Sequence, residues 1–339
     1  MAKGKFIAVG ENIHCTRIYK VGGEFVKETP GQGWAIVYKD GGQEKRLPVP
    51  KGFQDSGDWA AGKVKHAAVG IWQGLYGDSA AQKAGVEYLA YMVRAQEALG
   101  AHFLDLNVDE FSTEIEERRK VVQWTAKVLQ ITSSVPLSID SSNVDILEAG
   151  LAACDRSKGK PLVNSVSLER KEAVHAAAAA GAAVIAAAGG ESAMPSNREE
   201  RVANVDRLLA LLTKEGMSLG DVYLDPLVFP VSVDPGNGRM ILESIEELRK
   251  KHGAAIHFAP GLSNISYGMP NRKLINQVFT RLCVQRGLDG GIVDPLQIND
   301  GALAMLDEGS EPFRLTRAFL LGEDQFGMNY ITAVRAGKL

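Results

Sequence analysis

Cysteine is scarce: Cys15, Cys154 and Cys283 are the only three in 339 residues, far apart and without CxxC spacing. That usage points to buried free thiols in a reducing compartment. A membrane-length apolar run is also missing. The most apolar tract, Ala176 to Ala188, is mostly alanine, is broken by Gly181 and is too short to cross a bilayer. The N-terminus, Met1-Ala2-Lys3-Gly4-Lys5, leads into one short strand rather than a secretory apolar segment. Positive charge is not in excess. The formal net charge is -3 and no dense Lys/Arg run occurs, which argues against nucleic acid and membrane surfaces as partners. Catalytic signatures are missing too. No GxGxxG turn follows the first strand, no nucleophile stands beside a base, and no basic cluster or phosphate-binding glycine turn follows the last strands, because Gly290-Gly291 precedes its strand. These absences leave a cytoplasmic enzyme acting on a small molecule, with another protein as the alternative partner.

The chain has 45% hydrophobic and 23% charged residues, an ordinary balance for a soluble α/β protein of one large domain or two. Eight short β-type runs end in polar residues or glycine: Phe6–Val9, Phe103–Leu106, Leu137–Asp140, Leu162–Asn164, Ala183–Ala186, Val222–Asp225, Ala255–Phe258 and Gly291–Asp294. From the second onward they are spaced by a strand plus a helix. Amphipathic segments fill the intervals. Ser112–Gln130 carries Ile115, Val122, Ala126 and Leu129 on one stripe, and Arg198–Glu215 carries Val202, Val205, Leu208, Leu209 and Leu212 before Gly216 as its C-cap. The pattern predicts an α/β fold, a (β/α)8 TIM barrel spanning residues 1–339 as one domain, ahead of a doubly wound open sheet. A long insertion after the first strand, residues 16–79, reads as a hairpin with loops beside the barrel mouth. Its hairpin signal is Gly33–Tyr38 followed by Asp40-Gly41-Gly42. The tail from Phe313 to Leu339 reads as a helix and a poorly defined end.

In such a barrel the C-terminal strand ends converge on one pocket. Here they carry Glu11 and Asn12, Asp105 and Asn107, Asp140, Asn164, Asp225 and Asn264, almost all carboxylates and carboxamides. A carboxylate accepts two N–H groups side by side, and a carboxamide donates and accepts on the adjoining edge. Together they suit a planar heterocycle with fused amide and amidine edges. The loop from Gly261 to Arg272, with Gly261, Ser263, Asn264 and Arg272 as candidate contacts, is the strand-to-helix segment on which this site centres. Simpler readings exist. Asp140 stands ahead of Ser141-Ser142-Asn143 as a possible helix cap, and Asp225 before Pro226 as a turn former. Carboxylates alone suit Mg²⁺, and His14-Cys15 suggests Zn²⁺ if a second cysteine joins. Neither Cys154 nor Cys283 is placed to do so, and no metal is expected. His102 and His257 are expected in or behind the core.

Taken in order, Leu104-Asp105-Leu106-Asn107, Ser138-Ile139-Asp140-Ser141, Val163-Asn164-Ser165, Leu224-Asp225-Pro226-Leu227 and Gly261-Leu262-Ser263-Asn264 resemble the pterin-binding (β/α)8 barrels. The nearest branch is the methyltetrahydrofolate:corrinoid protein methyltransferases, which include the folate domain of cobalamin-dependent methionine synthase. The resemblance runs from Ile7 to about Pro295, outside the insertion. It implies that Asp140, Asn164 and Asp225 hold the pterin edge and that Asn264 reaches N5, the methyl-bearing nitrogen, with Asn264 and Asp140 serving catalysis. It further implies tetrahydrofolate or 5-methyltetrahydrofolate as substrate, cobalamin on a separate corrinoid protein as methyl partner, and a homodimer. The dihydropteroate synthase branch differs. It usually has Arg-Lys where this chain has Asn264-Ile265, Arg-Val-His where this chain has Ile292-Val293-Asp294, and Asn-Val-Thr-Pro-Asp where this chain has Gly10-Glu11-Asn12-Ile13-His14. This chain also departs from its own branch. Gly10-Glu11-Asn12-Ile13-His14 replaces the common Gly-Glu-Arg-Ile-Asn, and Tyr267 stands where a polar amide is common. A pterin-binding protein without catalysis and a Mg²⁺-dependent lyase are the alternatives from other classes.

Overall fold

The structure is a computed structural model describing residues 6–339; Met1–Lys5, read above as a lead into the first strand, lies outside the described residues. Eight parallel strands with helices between them form a nearly closed (β/α)8 barrel. They are β1 (Ile7–His14), β2 (Ala101–Asn107), β3 (Leu137–Asp140), β4 (Leu162–Val166), β5 (Ala183–Ala187), β6 (Val222–Asp225), β7 (His257–Phe258) and β8 (Gly290–Val293). Their order in the sheet is β7-β6-β5-β4-β3-β2-β1-β8, the order of the chain itself. Strands covered on both faces need apolar residues throughout, and all five residues of β5 are buried.

The chain divides into two compact units. The first comprises residues 6–10, 99–102 and 162–339. In it β5 pairs with β4 and β6, β6 with β7, and β1 with β8. β7 and β8 meet through a single parallel bridge, Gly261 to Ile292, which brings the start of the Gly261–Arg272 loop to the barrel wall. β7 is shorter than its apolar run suggests. Gly253, at φ 64°, ends the helix Asn237–His252, and a 3₁₀ turn, Gly253–Ala255, takes up the first residue of the run. The helix Arg198–Lys214 does end before a left-handed Gly216. His102 accepts from the Ala8 amide at 3.3 Å, and His257 bonds Asp289 at 2.8 Å. The tail holds two helices, Glu311–Leu320 and Met328–Arg335.

The second unit comprises residues 11–98 and 103–161. β2 and β3 run in register from Leu104–Leu137 to Asn107–Asp140. The insertion holds more structure than a hairpin. Val26–Thr29, Gly33–Asp40 and Gln43–Pro48 make a three-stranded antiparallel sheet, turned at Gly41-Gly42, both with positive φ. Ile18–Lys20 pairs with Lys63–Lys65, and a helix, His66–Tyr76, follows. His66 is stacked on Tyr19 and bonded to the Tyr88 hydroxyl at 2.9 Å. Burial pushes its pKa down to about 3, so it is a neutral packing group at physiological pH.

The helix His66–Tyr76 lies backbone-close to Ser79–Glu97, which starts on an Asp78 cap. A Cβ on Gly85 would stand 2.3 Å from the Gly74 nitrogen and 2.6 Å from the Gly70 oxygen. Main chain cannot yield as a side chain can. Gly85→Ala is therefore expected to cost about 2–3 kcal/mol and lower the melting temperature by several degrees. The control Gly52→Ala, whose Cβ would meet nothing within 4 Å, should leave the melt in place. Equal melting of the two variants would refute the close-packing account.

Candidate active site

In the second unit the acids at the strand ends are ordered by one another's neighbours. Asp105 and Asn107 alternate along β2 and so share a face, and Asn107 lies in register with Asp140 of β3. The Asn107 amide is fixed at both ends. Its Nδ2 donates to Asp140 Oδ2 at 3.0 Å, and its Oδ1 accepts from the Asp109 amide at 3.0 Å. Asp105 is fully buried and bonds His14 Nε2 at 2.7 Å, while the same nitrogen is 3.9 Å from Asp140 Oδ2. Asp109 ties the two loops together, accepting from Ser141 Oγ at 2.5 Å and from the Ser142 amide at 2.8 Å. Glu11 is ion-paired with Arg17, the second residue of the insertion.

Charge in this cluster is crowded. Burial, then the Asp105 charge, push Asp140 up to about 7, against the lowering effect of His14 and the Asn107 amide; 24% of its side chain still meets solvent. For His14 burial acts downward, but the hydrogen bond to Asp105 and the charges of Asp105, Asp140 and Glu11 outweigh it, so its pKa is raised.

In the first unit Asn164 is buried on β4, and the peptide bond that follows it, to Ser165, is cis. Asp225, at the end of β6, accepts from the Leu227 amide at 2.8 Å and from the Gly261 amide. Burial pushes its pKa up to about 6, with those two N–H groups and Arg201 acting in the opposite direction. Arg201 is 1% exposed; it donates to the Pro226 carbonyl at 2.9 Å and to the Asn197 carbonyl at 3.0 Å.

The loop after β7 folds as a 3₁₀ turn, Leu262–Ser266, with Leu262 and Ile265 buried and Asn264 exposed. Arg272 clamps this turn, donating to the Ser263 carbonyl at 2.8 Å and to Ser266 Oγ at 3.0 Å. A Cβ on Gly261 would come within 3.0 Å of Asn264 Nδ2, so glycine leaves that amide room. Among the described residues no protein group is hydrogen-bonded to the Asn264 side chain, although its backbone is held by the Gly261 carbonyl.

Of the residues named from the sequence, Asn107, Asp140 and Asp225 close their strands, Glu11, Asp105 and Asn164 lie within theirs, and Arg272 opens the helix Arg272–Gln285, so the roles divide. Glu11, Asp105, Asn107 and Asp140 form one connected cluster; Asp225, Gly261, Ser263, Asn264 and Arg272 are linked through the loop after β7. Asp140 is not a helix cap, because Asn143 Oδ1 caps Val144–Ala152 from the Asp145 and Ile146 amides. Asp225 does order its turn, as the plainer reading had it, accepting the Leu227 amide on Oδ1. Arg272 is turned onto its own loop. Two residues were overlooked. The sequence pairs His14 with Cys15, whereas the fold pairs it with Asp105 and buries Cys15. Arg201 lies four and seven residues before Val205 and Leu208, in step with the apolar stripe, and that was the available signal.

Among the described residues, the ligand-type atoms of His14, Asp105 and Asp140 all fall within 4.8 Å of one another. The 2.7 Å between His14 and Asp105 is the length of a charge-assisted hydrogen bond. A cleft of about 370 Å³ in the second unit is lined by Phe53, Trp72, Phe111 and Lys65, and by none of the strand-end acids.

Comparison with known proteins agrees with this arrangement of polar strand ends on a barrel. The chain is 29% identical over 251 residues to a methylcorrinoid:tetrahydrofolate methyltransferase from Eubacterium limosum, covering 72% of this chain and 86% of that protein. It is 31% identical over 216 residues to methionine synthase from Mycobacterium leprae, covering 59% of this chain but 17% of that longer protein. Dihydropteroate synthase from Xanthomonas albilineans, solved with 7,8-dihydropteroate, superposes with a TM-score of 0.50 at 17% identity, over 71% of this chain and 88% of that one, a likeness of fold. The pterin binding enzyme family matches residues 78–294, well over half of the chain. This chain belongs to the pterin-binding enzyme family.

Proposed function

We propose that the protein is a methyltransferase that exchanges a methyl group between N5 of a tetrahydrofolate and the cobalt of a corrinoid held by a separate protein. The observation that carries the reading is Asn264, a carboxamide on a clamped turn after a strand, whose side chain has no hydrogen-bond partner among the described residues. The name of the Eubacterium limosum relative, matched over most of both chains, supports the same class.

In this reading Asp140, Asn164 and Asp225 bind the hydrogen-bonding edge of the pterin. An ionised Asp225 accepts ring N–H groups, while the Leu227 and Gly261 amides keep the carboxylate in place. The donor and acceptor types fit such a ring. A tertiary amine leaves poorly until N5 gains positive character, so a group whose bond to N5 strengthens as N5 is protonated lowers the barrier. Asn264 accepts that bond with its carbonyl and has no proton of its own to give. Asp140, poised near 7, is suited to exchange the proton with N5 through water. The bound corrinoid supplies the cobalt that takes or gives the methyl group. The basic residues that the dihydropteroate synthase branch uses are replaced here by Asn264-Ile265 and Ile292-Val293-Asp294, which disfavours pyrophosphate chemistry.

Calorimetry with tetrahydrofolate should show binding at sub-millimolar concentration, and a supplied Co(I) corrinoid protein should be methylated from 5-methyltetrahydrofolate. Binding without any methyl transfer would make this a non-catalytic folate-binding protein instead. Asn264→Ala should lose more than about a hundredfold in single-turnover rate, roughly 3 kcal/mol of transition-state stabilisation, with its melt unchanged. A wild-type rate in that variant would remove Asn264 from the mechanism.

Affinity should also depend on pH with a definite sign. The ligand needs Asp225 ionised, and its pKa is raised to about 6, so tetrahydrofolate binding should weaken about tenfold for each pH unit below 6. Asp225→Asn should bind weakly and without that acid limb; an acid limb that survives in Asp225→Asn would reject the assignment.

A further inference from the structure

We propose that His14, ion-paired to the buried Asp105, is the proton store that recharges Asp140 during methyl exchange at N5. The inference rests on the methyltransferase reading for its chemistry and on the second unit alone for its geometry.

The neighbouring charges are already matched. Glu11 is paired with Arg17. Asp109 is held by Ser141 and Ser142, with Arg118 at 3.9 Å. From the insertion, Lys65 is paired with Asp58 at 3.2 Å and Glu110 at 2.9 Å. Asp105, Asp140 and His14 stand together among these matched charges. Asp105 has no exposed surface, so its charge needs a partner, and His14 Nε2 at 2.7 Å is that partner. The same nitrogen faces Asp140 Oδ2 at 3.9 Å, a gap that a small side-chain shift closes, and Asn107 Nδ2 holds that oxygen in place at 3.0 Å. One N–H thus stands beside two carboxylates, one buried and one reaching solvent. The pKa of His14 is raised by the hydrogen bond and charge of Asp105 and by the charges of Asp140 and Glu11, the direction that favours a held proton.

The step balances without any change beyond the methyl transfer. When 5-methyltetrahydrofolate gives its methyl to a Co(I) corrinoid, the C–N bond breaks, its electron pair stays on N5 and the cobalt is oxidised by two electrons as the Co–C bond forms. N5 ends with one proton more. Asp140 supplies that proton through water, and His14 replaces it on Asp140; in reverse, N5–H returns a proton along the same line. His14 acts through Asp140 and is a positioning residue for its proton. It also stands where the pattern of the resembled branch has asparagine, so the store belongs to this chain rather than to the pattern.

Two measurements test this, and the first needs no substrate. In protein labelled at histidine nitrogen, the His14 signal, identified by its loss in His14→Asn, should show a ring still charged at pH 7, and Asp105→Asn should lower its titration midpoint. A His14 midpoint at or below the ordinary 6.5, unchanged in Asp105→Asn, overturns the proposal whatever the protein binds. In the second, His14→Asn should bind tetrahydrofolate like the wild type while the alkaline limb of its methyl-transfer rate moves down by about one pH unit, and His14→Ala should be partly rescued by imidazole. Loss that is equal at all pH values, or activity abolished by chelators and restored by a divalent cation, overturns it as well. If the wild type transfers no methyl at any pH, the methyltransferase reading fails by itself, and the titration still decides the dyad.

Discussion

A carboxylate taken out of water must be given donors, and the polar end of this barrel is arranged around that requirement. Asp105 has His14, Asp140 has Asn107, Asp109 has Ser141 and Ser142, Asp225 has two main-chain N–H groups, and Glu11 has Arg17. Each donor sits one strand, one loop or one turn away from its acid. In each unit these side chains are therefore held by groups of the protein itself.

The arrangement works against stability at neutral pH. A carboxyl whose folded pKa lies above its unfolded value adds stability below the unfolded value, near 4, and loses that contribution as pH rises through the folded one. Asp225 loses it by about 6 and Asp140 by about 7. The fully apolar strands such as β5 and the close pair of helices at Gly85 supply the compensating packing. The insertion takes part as well. Its Arg17 neutralises Glu11 and its Lys65 meets Glu110, so two basic groups absent from the barrel strands hold one acid within β1 and one that follows β2.

The barrel was legible because each strand is a run of apolar residues that stops at a polar one, a signal strong enough to locate all eight. It failed where local backbone chemistry intervened. Gly253 ended a helix late and shortened β7, and the helix His66–Tyr76 was hidden inside a glycine-rich insertion. The candidate residues were legible as types: Asp and Asn at equivalent positions on successive strands. Their work was not. Arg272 looked like a ligand contact and instead fastens its own turn, while Asp140 looked like a cap until Asn143 proved to be one.

The order of apolar and polar residues by itself determined the eightfold alternation, the place of the acids at strand ends and the contrast of Asn264-Ile265 with a basic pair, since each is a property of neighbours in the chain. Only the tertiary structure decided that His14 lies against Asp105, 91 residues away, and near Asp140, 126 residues away by numbering. Nothing local to His14 specifies those partners. They meet because the strands that carry them are laid side by side, and burial then raises the pKa of Asp140 while the acids raise that of His14.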